Sequence, residues 1–284
     1  MYRTILVPLD GSALGEGALP TAALLARRMD ACLVLARVAS DASSQAVHAA
    51  QRYLDRVRER LTDAVPVATV VPHGTAAHGI LDAITADNAD LVVMTTHGHA
   101  GLRRLVFGSV AEKVLAASPV PVWLVPARGT AHPSLLTSAA PQILVLLDGS
   151  PLAESALPSA VTVAQALGGG LLLLRVVPTE PLLVDPGVAE ALAPAETETE
   201  EGAEAYLAGI VQGIKADGMG AQFVVRRGSP TPAILDEIWS AGADALVMAT
   251  HGRSGLDRAL LGSVAIGLVH SCTIPMLLTR PPNG

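Results

Sequence analysis

Two short segments hold most of the residue types able to do chemistry, and each occurs twice. The first is Asp10-Gly11-Ser12, repeated as Asp148-Gly149-Ser150. A carboxylate beside a glycine turn can accept hydrogen bonds from a pair of ribose hydroxyls. The same residues also suit a helix start, with Ser12 as the cap and the Asp10 carboxylate left over. The second segment is Met94-Thr95-Thr96-His97-Gly98, nine further residues, then Gly108-Ser109-Val110-Ala111. Its repeat is Met248-Ala249-Thr250-His251-Gly252, nine residues, then Gly262-Ser263-Val264-Ala265. Glycines let backbone N–H groups approach an anion, and a helix beginning at Ser109 or Ser263 aims unpaired N–H groups and its positive dipole end at it. A glycine turn with a serine N-cap accounts for the same residues. The pattern is neither a Walker A loop, which needs a lysine before the serine, nor G-x-G-x-x-G.

Between these glycines lobe one carries His99, Arg103 and Arg104, whereas lobe two carries Arg253 and Arg258 with Asp257 at the place of Arg103. Arginines here suit phosphates, and the extra carboxylate opposes them; a solvated basic loop is the plainer alternative. His97 and His251 are candidate acid–base groups, and His97 with His99 candidate metal ligands, but no third ligand stands at a convincing spacing. Ser, His and Asp all occur nearby without the G-x-S-x-G elbow of a hydrolase triad.

The elements that must position these residues follow from the repeat. Ile5 to Ser12 recurs as Ile143 to Ser150 at an offset of 138, while Thr96-His97-Gly98 recurs as Thr250-His251-Gly252 at 154. The second copy therefore holds 16 extra residues, expected between Val177 and Gly228 and covering the Pro- and Glu-rich stretch from Pro178 to Glu204. The Glu run from Glu190 to Glu204 reads as a solvated helix face or arm, with partner docking as the lesser alternative. The pattern predicts domains over residues 1–127 and 142–281 with a turn-rich linker, 128–141, each lobe owning its own core.

Within lobe one, apolar β-branched runs predict strands at Thr4 to Leu9, Cys32 to Val38, Val67 to Val71, Leu91 to Thr95 and Val120 to Val125. Amphipathic stretches predict helices at Ala13 to Met29, Ser44 to Leu61, Thr75 to Asp87 and Ser109 to Ala117. Such alternation implies an α/β fold with a parallel sheet and right-handed crossovers. Ligands of such sheets bind outside the carboxyl ends of the strands, where both chemical segments fall.

Composition removes several classes. Of 284 residues half are hydrophobic, 16% are charged and 2% aromatic, with a net charge of -7. The apolar content and a mean hydropathy of +0.45 argue for packed cores rather than disorder. Scarce rings and an acidic balance argue against nucleic acid. No stretch approaches the roughly 18 apolar residues of a spanning helix, and there is no basic surplus for a membrane surface. A cytoplasmic protein is expected, with Cys32 and Cys272 as reduced, buried thiols.

The leading V-P-x-D-G-S strand, the T-H-G, nine residues, G-S-V-A segment and the closing Pro-Val-x-Leu-Val strand together resemble the universal stress protein family in tandem form. The resemblance implies two Rossmann-like domains of the adenine nucleotide alpha hydrolase type, each a five-stranded parallel sheet of order 3-2-1-4-5. It implies an intramolecular pseudo-dimer paired through Val120 to Val125 and Ile274 to Thr279, leaving a further homodimer open. Pro121 and Pro275, lacking an N–H, suit that edge. It also implies ATP (or AMP or ADP) binding, with Mg²⁺ arriving on the phosphates, and a role as a stress-response regulatory module whose protein partner is unknown. The implied site is Pro8, Leu9, Asp10, Val38, Met94, Thr95, Gly98, His99, Arg103, Gly108, Ser109 and Val110 in lobe one. In lobe two it is Leu147, Asp148, Val176, Met248, Ala249, Gly252, Arg253, Gly262, Ser263 and Val264. Val38 and Val176 would wall the adenine. The family motif has a glycine where this chain has Thr95 and Ala249, which matters if that position needs φ > 0. A weak ATPase or adenylyl-transferring enzyme and a nucleotide-free scaffold are the alternatives. Asp257 opposite Arg103 leads us to expect tighter nucleotide binding in lobe one.

Overall fold

The computed structural model describes residues 1–39, 43–61, 65–96, 108–126, 134–179, 199–250 and 261–280. Lobe one contributes strands β1 (Thr4–Pro8), β2 (Cys32–Ala36), β3 (Val67–Val70), β4 (Leu91–Thr95) and β5 (Val122–Val125). Its helices are α1 (Ala13–Glu16), α2 (Leu19–Met29), α3 (Ser44–Glu59), α4 (Ala76–Ala86) and α5 (Ser109–Ala117). A short helix, α6 (Ser134–Thr137), precedes lobe two. Lobe two repeats the series with β6 (Gln142–Leu146), α7 (Pro151–Glu154), α8 (Leu157–Leu167), β7 (Gly170–Val177), α9 (Glu200–Ala216), β8 (Ala221–Arg227), α10 (Pro230–Ser240), β9 (Ala245–Ala249), α11 (Ser263–Ser271) and β10 (Met276–Thr279).

The strands arise where the chain is apolar on both sides of the period-two pattern. All five residues of β4 and of β9 are buried, as parallel strands covered by helices on both faces must be. One expected helix is two. Residues 13–29 break at Gly17 and Ala18, because Pro20 lacks an N–H and fits only a first helical turn, where it starts α2. Pro158 does the same for α8. The expected insertion is also narrower. Glu200 to Glu204 belong to α9, the counterpart of α3, and its exposed face takes Glu200, Glu201 and Glu204. Residues 180–198 lie outside the described residues.

Ten strands form one sheet in the order β3-β2-β1-β4-β5-β10-β9-β6-β7-β8. Each half is parallel with the order 3-2-1-4-5. The halves join where β5 and β10 run antiparallel, pairing Val122 with Leu278, Trp123 with Leu277 and Leu124 with Met276. Pro121 and Pro275 stand just before this ladder. Their carbonyls accept from Val92 and Leu246 of the same lobe, and because the β5–β10 register starts at Val122 and Met276, their missing N–H groups fall outside it.

The expectation of one core per lobe is corrected by this junction. Buried side chains sort by face of the sheet, because a continuous sheet presents two continuous faces. One core packs β-residues of both lobes against α2, α3, α8 and α9, with Leu135 of α6 joining it. The other packs them against α4, α5, α10 and α11. Helices α2 and α8 touch across the junction, and Tyr2 donates to Ser159 Oγ at 3.0 Å. Both cysteines are unpaired. Burial pushes the Cys272 thiol up to about 11, whereas Cys32 is half-buried rather than buried. No helix among the described residues is long and apolar enough to cross a membrane.

Trp123, fully buried beside Leu277, is among the largest buried side chains, and its indole N–H finds no acceptor among the described residues. Trp123→Ala is therefore expected to cost about 3–5 kcal/mol in denaturant unfolding. Trp123→Phe loses less, since it leaves no orphaned donor. Because the cores span both lobes, unfolding should remain a single transition; two separated transitions would contradict the shared cores.

Candidate functional site

Strand order reverses between β1 and β4 in lobe one and between β6 and β9 in lobe two. At such a switch point the neighbouring crossovers leave in opposite directions and open a crevice at the carboxyl ends. In lobe one that crevice is a cavity of about 510 Å³, within the range of small-molecule sites. Pro8, Leu9 and Asp10 line it from β1, Val38 from beyond β2, and Met94, Thr95 and Thr96 from β4. Gly108, Ser109 and Val110 close it from the start of α5. Ala46, Ala49 and Ala50 face it from α3, three small side chains on one helical surface that keep the volume open. The structure thus brings together nine of the lobe-one positions singled out from the sequence, Pro8, Leu9, Asp10, Val38, Met94, Thr95, Gly108, Ser109 and Val110. Gly98, His99 and Arg103 lie outside the described residues, as do His97 and Arg104.

Lobe two places Leu147 and Asp148 after β6, Val176 near the end of β7, Met248 and Ala249 in β9, and Gly262, Ser263 and Val264 at the start of α11. His251, Gly252, Arg253, Asp257 and Arg258 lie outside the described residues.

The carboxylate turn is built alike in both lobes. Ser12 Oγ accepts from the Gly15 N–H at 2.9 Å, capping α1. Asp10 Oδ1 accepts from the Ser12 N–H at 2.9 Å and from its hydroxyl at 2.6 Å. Asp148 and Ser150 reproduce both bonds at 2.9 and 2.6 Å. The cap and the carboxylate are therefore one unit, and Asp10 is not left over: one oxygen is held by the cap itself.

The strand-four segments also match. Gly108 N–H donates to Thr96 O, and Gly262 N–H to Thr250 O, each at 3.0 Å, tying the start of α5 to the end of β4 and the start of α11 to the end of β9. The N-caps of α5 and α11 are Gly108 and Gly262, which have no side chain to cap with. Ser109 and Ser263 stand one position later and are exposed, so neither is the serine N-cap that the sequence allowed. Each helix consequently presents first-turn N–H groups without a side-chain cap, a ready anion site.

Thr95 and Ala249, where the family motif has glycine, are the last residues of β4 and β9. Asp30 and Asn88 are the non-glycine residues of positive φ among the described residues. The position therefore needs no left-handed backbone here, and a Cβ is tolerated. Thr95 Cγ2 fits over Gly17, at 3.6 Å from where a Cβ on that glycine would stand. The corresponding residues in lobe two are Ala249 and Ser155, the larger side chain having changed sides.

Arg37, absent from the expected site, joins it, braced from behind by Tyr53 and Glu16. Arg37 lines the cavity, and its guanidinium lies 4.5 Å from the centre of the Tyr53 ring. Tyr53 donates to Glu16 Oε1 at 2.8 Å, and Arg60 donates to Glu16 Oε2 at 2.8 Å. Lobe two repeats this with Arg175 4.7 Å from the Tyr206 ring and Tyr206 donating to Glu154 Oε1 at 2.9 Å. The sequence carries a signal for two of these residues: Glu16 and Arg37 recur as Glu154 and Arg175 at the same offset of 138. Tyr53 and Tyr206 lie 153 apart, an offset that no other identified segment shares, so their equivalence was invisible until they folded. Burial and the Glu16 carboxylate raise the Tyr53 hydroxyl well above its ordinary value. Among the described residues no group of three or more His, Cys, Asp or Glu stands close enough to hold a metal ion.

Partial burial raises the Glu16 pKa, but hydrogen bonds from Arg60 and Tyr53 outweigh it and hold the carboxyl below its ordinary 4.5. A depressed carboxylate contributes stability above its unfolded value and loses it as pH falls through the folded one. Glu16→Gln should thus be less stable than the parent by up to about 1 kcal/mol at neutral pH. The gap should close below about pH 4. A gap unchanged at low pH would assign Glu16 a packing role instead.

A sequence model of the universal stress protein family matches the chain twice, over residues 1–126 and 141–280. A universal stress protein of Mycolicibacterium smegmatis is 28% identical over 98% of this chain and 97% of its own. Another, from Mycobacterium tuberculosis, is 26% identical over 79% of this chain and 69% of its own. Among solved structures, a universal stress protein from Archaeoglobus fulgidus superposes with a TM-score of 0.78 at 20% identity, covering 98% of each chain. A putative universal stress protein from Pseudomonas aeruginosa gives 0.72 at 20% identity, over 99% of this chain and 94% of that one. Both show the same fold.

Proposed function

The chain belongs to the universal stress protein family, and from that premise we propose that it is a regulatory module of the stress response that binds an adenine nucleotide. The supporting observation is the convergence, around one cavity of about 510 Å³, of an acidic turn, an aliphatic wall and a helix start without a side-chain cap. On this reading ATP, ADP or AMP lays its base against Val38 and Met94, its ribose toward Asp10 and its phosphates toward Gly108 and Ser109. Gly98, His99 and Arg103 belong to the same proposed set. Leu147, Asp148, Val176, Met248, Ala249, Gly252, Arg253, Gly262, Ser263 and Val264 are the corresponding set in lobe two. With no aromatic side chain among the described residues that line the cavity, the base is held by aliphatic contact, and specificity comes from hydrogen bonds.

Mg²⁺ would arrive on the phosphates, since the phosphate end offers backbone N–H groups rather than a carboxylate pair. The described site has no P-loop lysine and no base placed to activate water, so regulation by occupancy fits it better than rapid phosphoryl transfer. Two unpaired cysteines suit a reducing cytoplasm.

Denaturing the purified protein and chromatographing the supernatant should release ATP, ADP or AMP. Steady product formation from added ATP would favour an enzyme, and an empty protein that fails to bind ATP would favour a scaffold. Asp10→Asn and Gly108→Trp should each weaken ATP binding by about tenfold or more in calorimetry. Gly108 has φ -64, which any L-residue adopts, so the tryptophan adds bulk without backbone strain. Gly262→Trp should weaken it less; equal losses would overturn the ranking of lobe one above lobe two.

A further inference from the structure

Gly11 and Gly149, the centres of the two carboxylate turns, have φ +87 and +82, a region that favours glycine. A second constraint acts on them. A Cβ on Gly11 would lie 3.0 Å from Cζ, Nη1 and Nη2 of Arg37. On Gly149 it would lie 2.6, 2.8 and 2.9 Å from Nη2, Nη1 and Cζ of Arg175. Each guanidinium is therefore pressed against the bare backbone of a turn. It also lies over a tyrosine ring, Tyr53 or Tyr206, whose hydroxyl is anchored to Glu16 or Glu154. The stack of turn, guanidinium, ring and carboxylate occurs in both lobes of the chain.

We propose that Arg37, and Arg175 in lobe two, are positioning residues for the strand-end carboxylate: each is the platform that sets the Asp-Gly-Ser turn before any ligand arrives. The proposal rests on the reading of Asp10 as a nucleotide contact. A planar cation has two faces for stacking and a rim of donors, so it can bear on a ring and a glycine backbone together; a lysine ammonium, being a point charge, cannot. The turn in turn fixes Asp10, whose Oδ1 is held by the Ser12 N–H at 2.9 Å. A ligand meeting a carboxylate already in place loses less affinity to ordering. The nearness of Tyr53, Arg37 and Asp10 is also electrostatic, since Arg37 lowers and Asp10 raises the Tyr53 hydroxyl pKa, both less than burial and Glu16 do.

The test is Arg37→Lys, which keeps the charge and removes the plane, with Tyr53→Leu as a second variant that removes the other half of the stack. In nucleotide-free protein the Ser12 amide should exchange hydrogen about tenfold faster in either variant, relative to amides of β4 in the same sample. Unchanged exchange overturns the proposal, whatever happens to ATP. ATP affinity should fall about tenfold on Arg37→Lys in the parent and less than about twofold in an Asp10→Asn background, because the two residues act as one unit. Equal losses in both backgrounds would show that Arg37 touches the nucleotide directly and also overturn it. If Asp10→Asn alone leaves ATP affinity intact, the nucleotide reading of Asp10 fails, while the exchange rates still decide whether Arg37 positions the turn.

Discussion

The antiparallel ladder between β5 and β10 is the constraint from which the rest of the molecule follows. A parallel five-stranded sheet ends in an edge of unpaired N–H and C=O groups, a surface that folded proteins must cover or pair. Here the inner edge of each lobe pairs with the other, through Val122, Trp123 and Leu124 against Leu278, Leu277 and Met276. The strands that would have been most exposed become central, and Trp123 is buried completely. Because pairing is antiparallel, the two lobes are related by a local two-fold, and the same sheet face of both is covered by α2, α3, α8 and α9. Two sheet faces, not two lobes, are the units of the hydrophobic core.

The same symmetry accounts for how closely the two sites resemble each other, whereas side chains around them diverge. The hydrogen bonds of the carboxylate turn, and those from Gly108 to Thr96 and Gly262 to Thr250, are reproduced to within about 0.2 Å. Around them, bulk and charge have moved. Gly17 with Thr95 becomes Ser155 with Ala249. Arg60, which braces Glu16, has no counterpart on Glu154 among the described residues, and Gly213 stands at the corresponding turn of α9. Lobe two instead buries Glu237, paired with Arg226 at 2.6 Å, where lobe one has Ala83 and Pro72. A buried carboxylate requires such a partner, because unpaired it would cost several kcal/mol. The common backbone and turns hold each strand-end site in shape, and side chains beyond them are free to vary.

Much of this was legible in the residues. Strand β4 and helix α5 have the bounds that the pattern predicts, since a buried parallel strand must be apolar throughout and glycine and serine favour a helix start. The helix over residues 13–29 was not, because its periodicity runs through a break that only Pro20 signals. Cys32 was expected to be buried from its apolar neighbours, but at the first position of β2 it is half-buried.

The order of apolar runs and the repeat at 138 and 154 determined, without coordinates, an α/β chain of two like lobes and the two segments at their strand ends. These are local properties, carried by neighbours along the chain. What only the tertiary structure decided is what those segments rest upon. That Arg37 and Tyr53, distant from Gly11 in sequence, meet beneath the turn depends on β1 pairing with β2 and α3 packing back over β2 and β3. That the cores run through both lobes depends on one edge finding another. Contacts between residues far apart in sequence depend on crossover direction and sheet register, and these are set only when the whole chain packs.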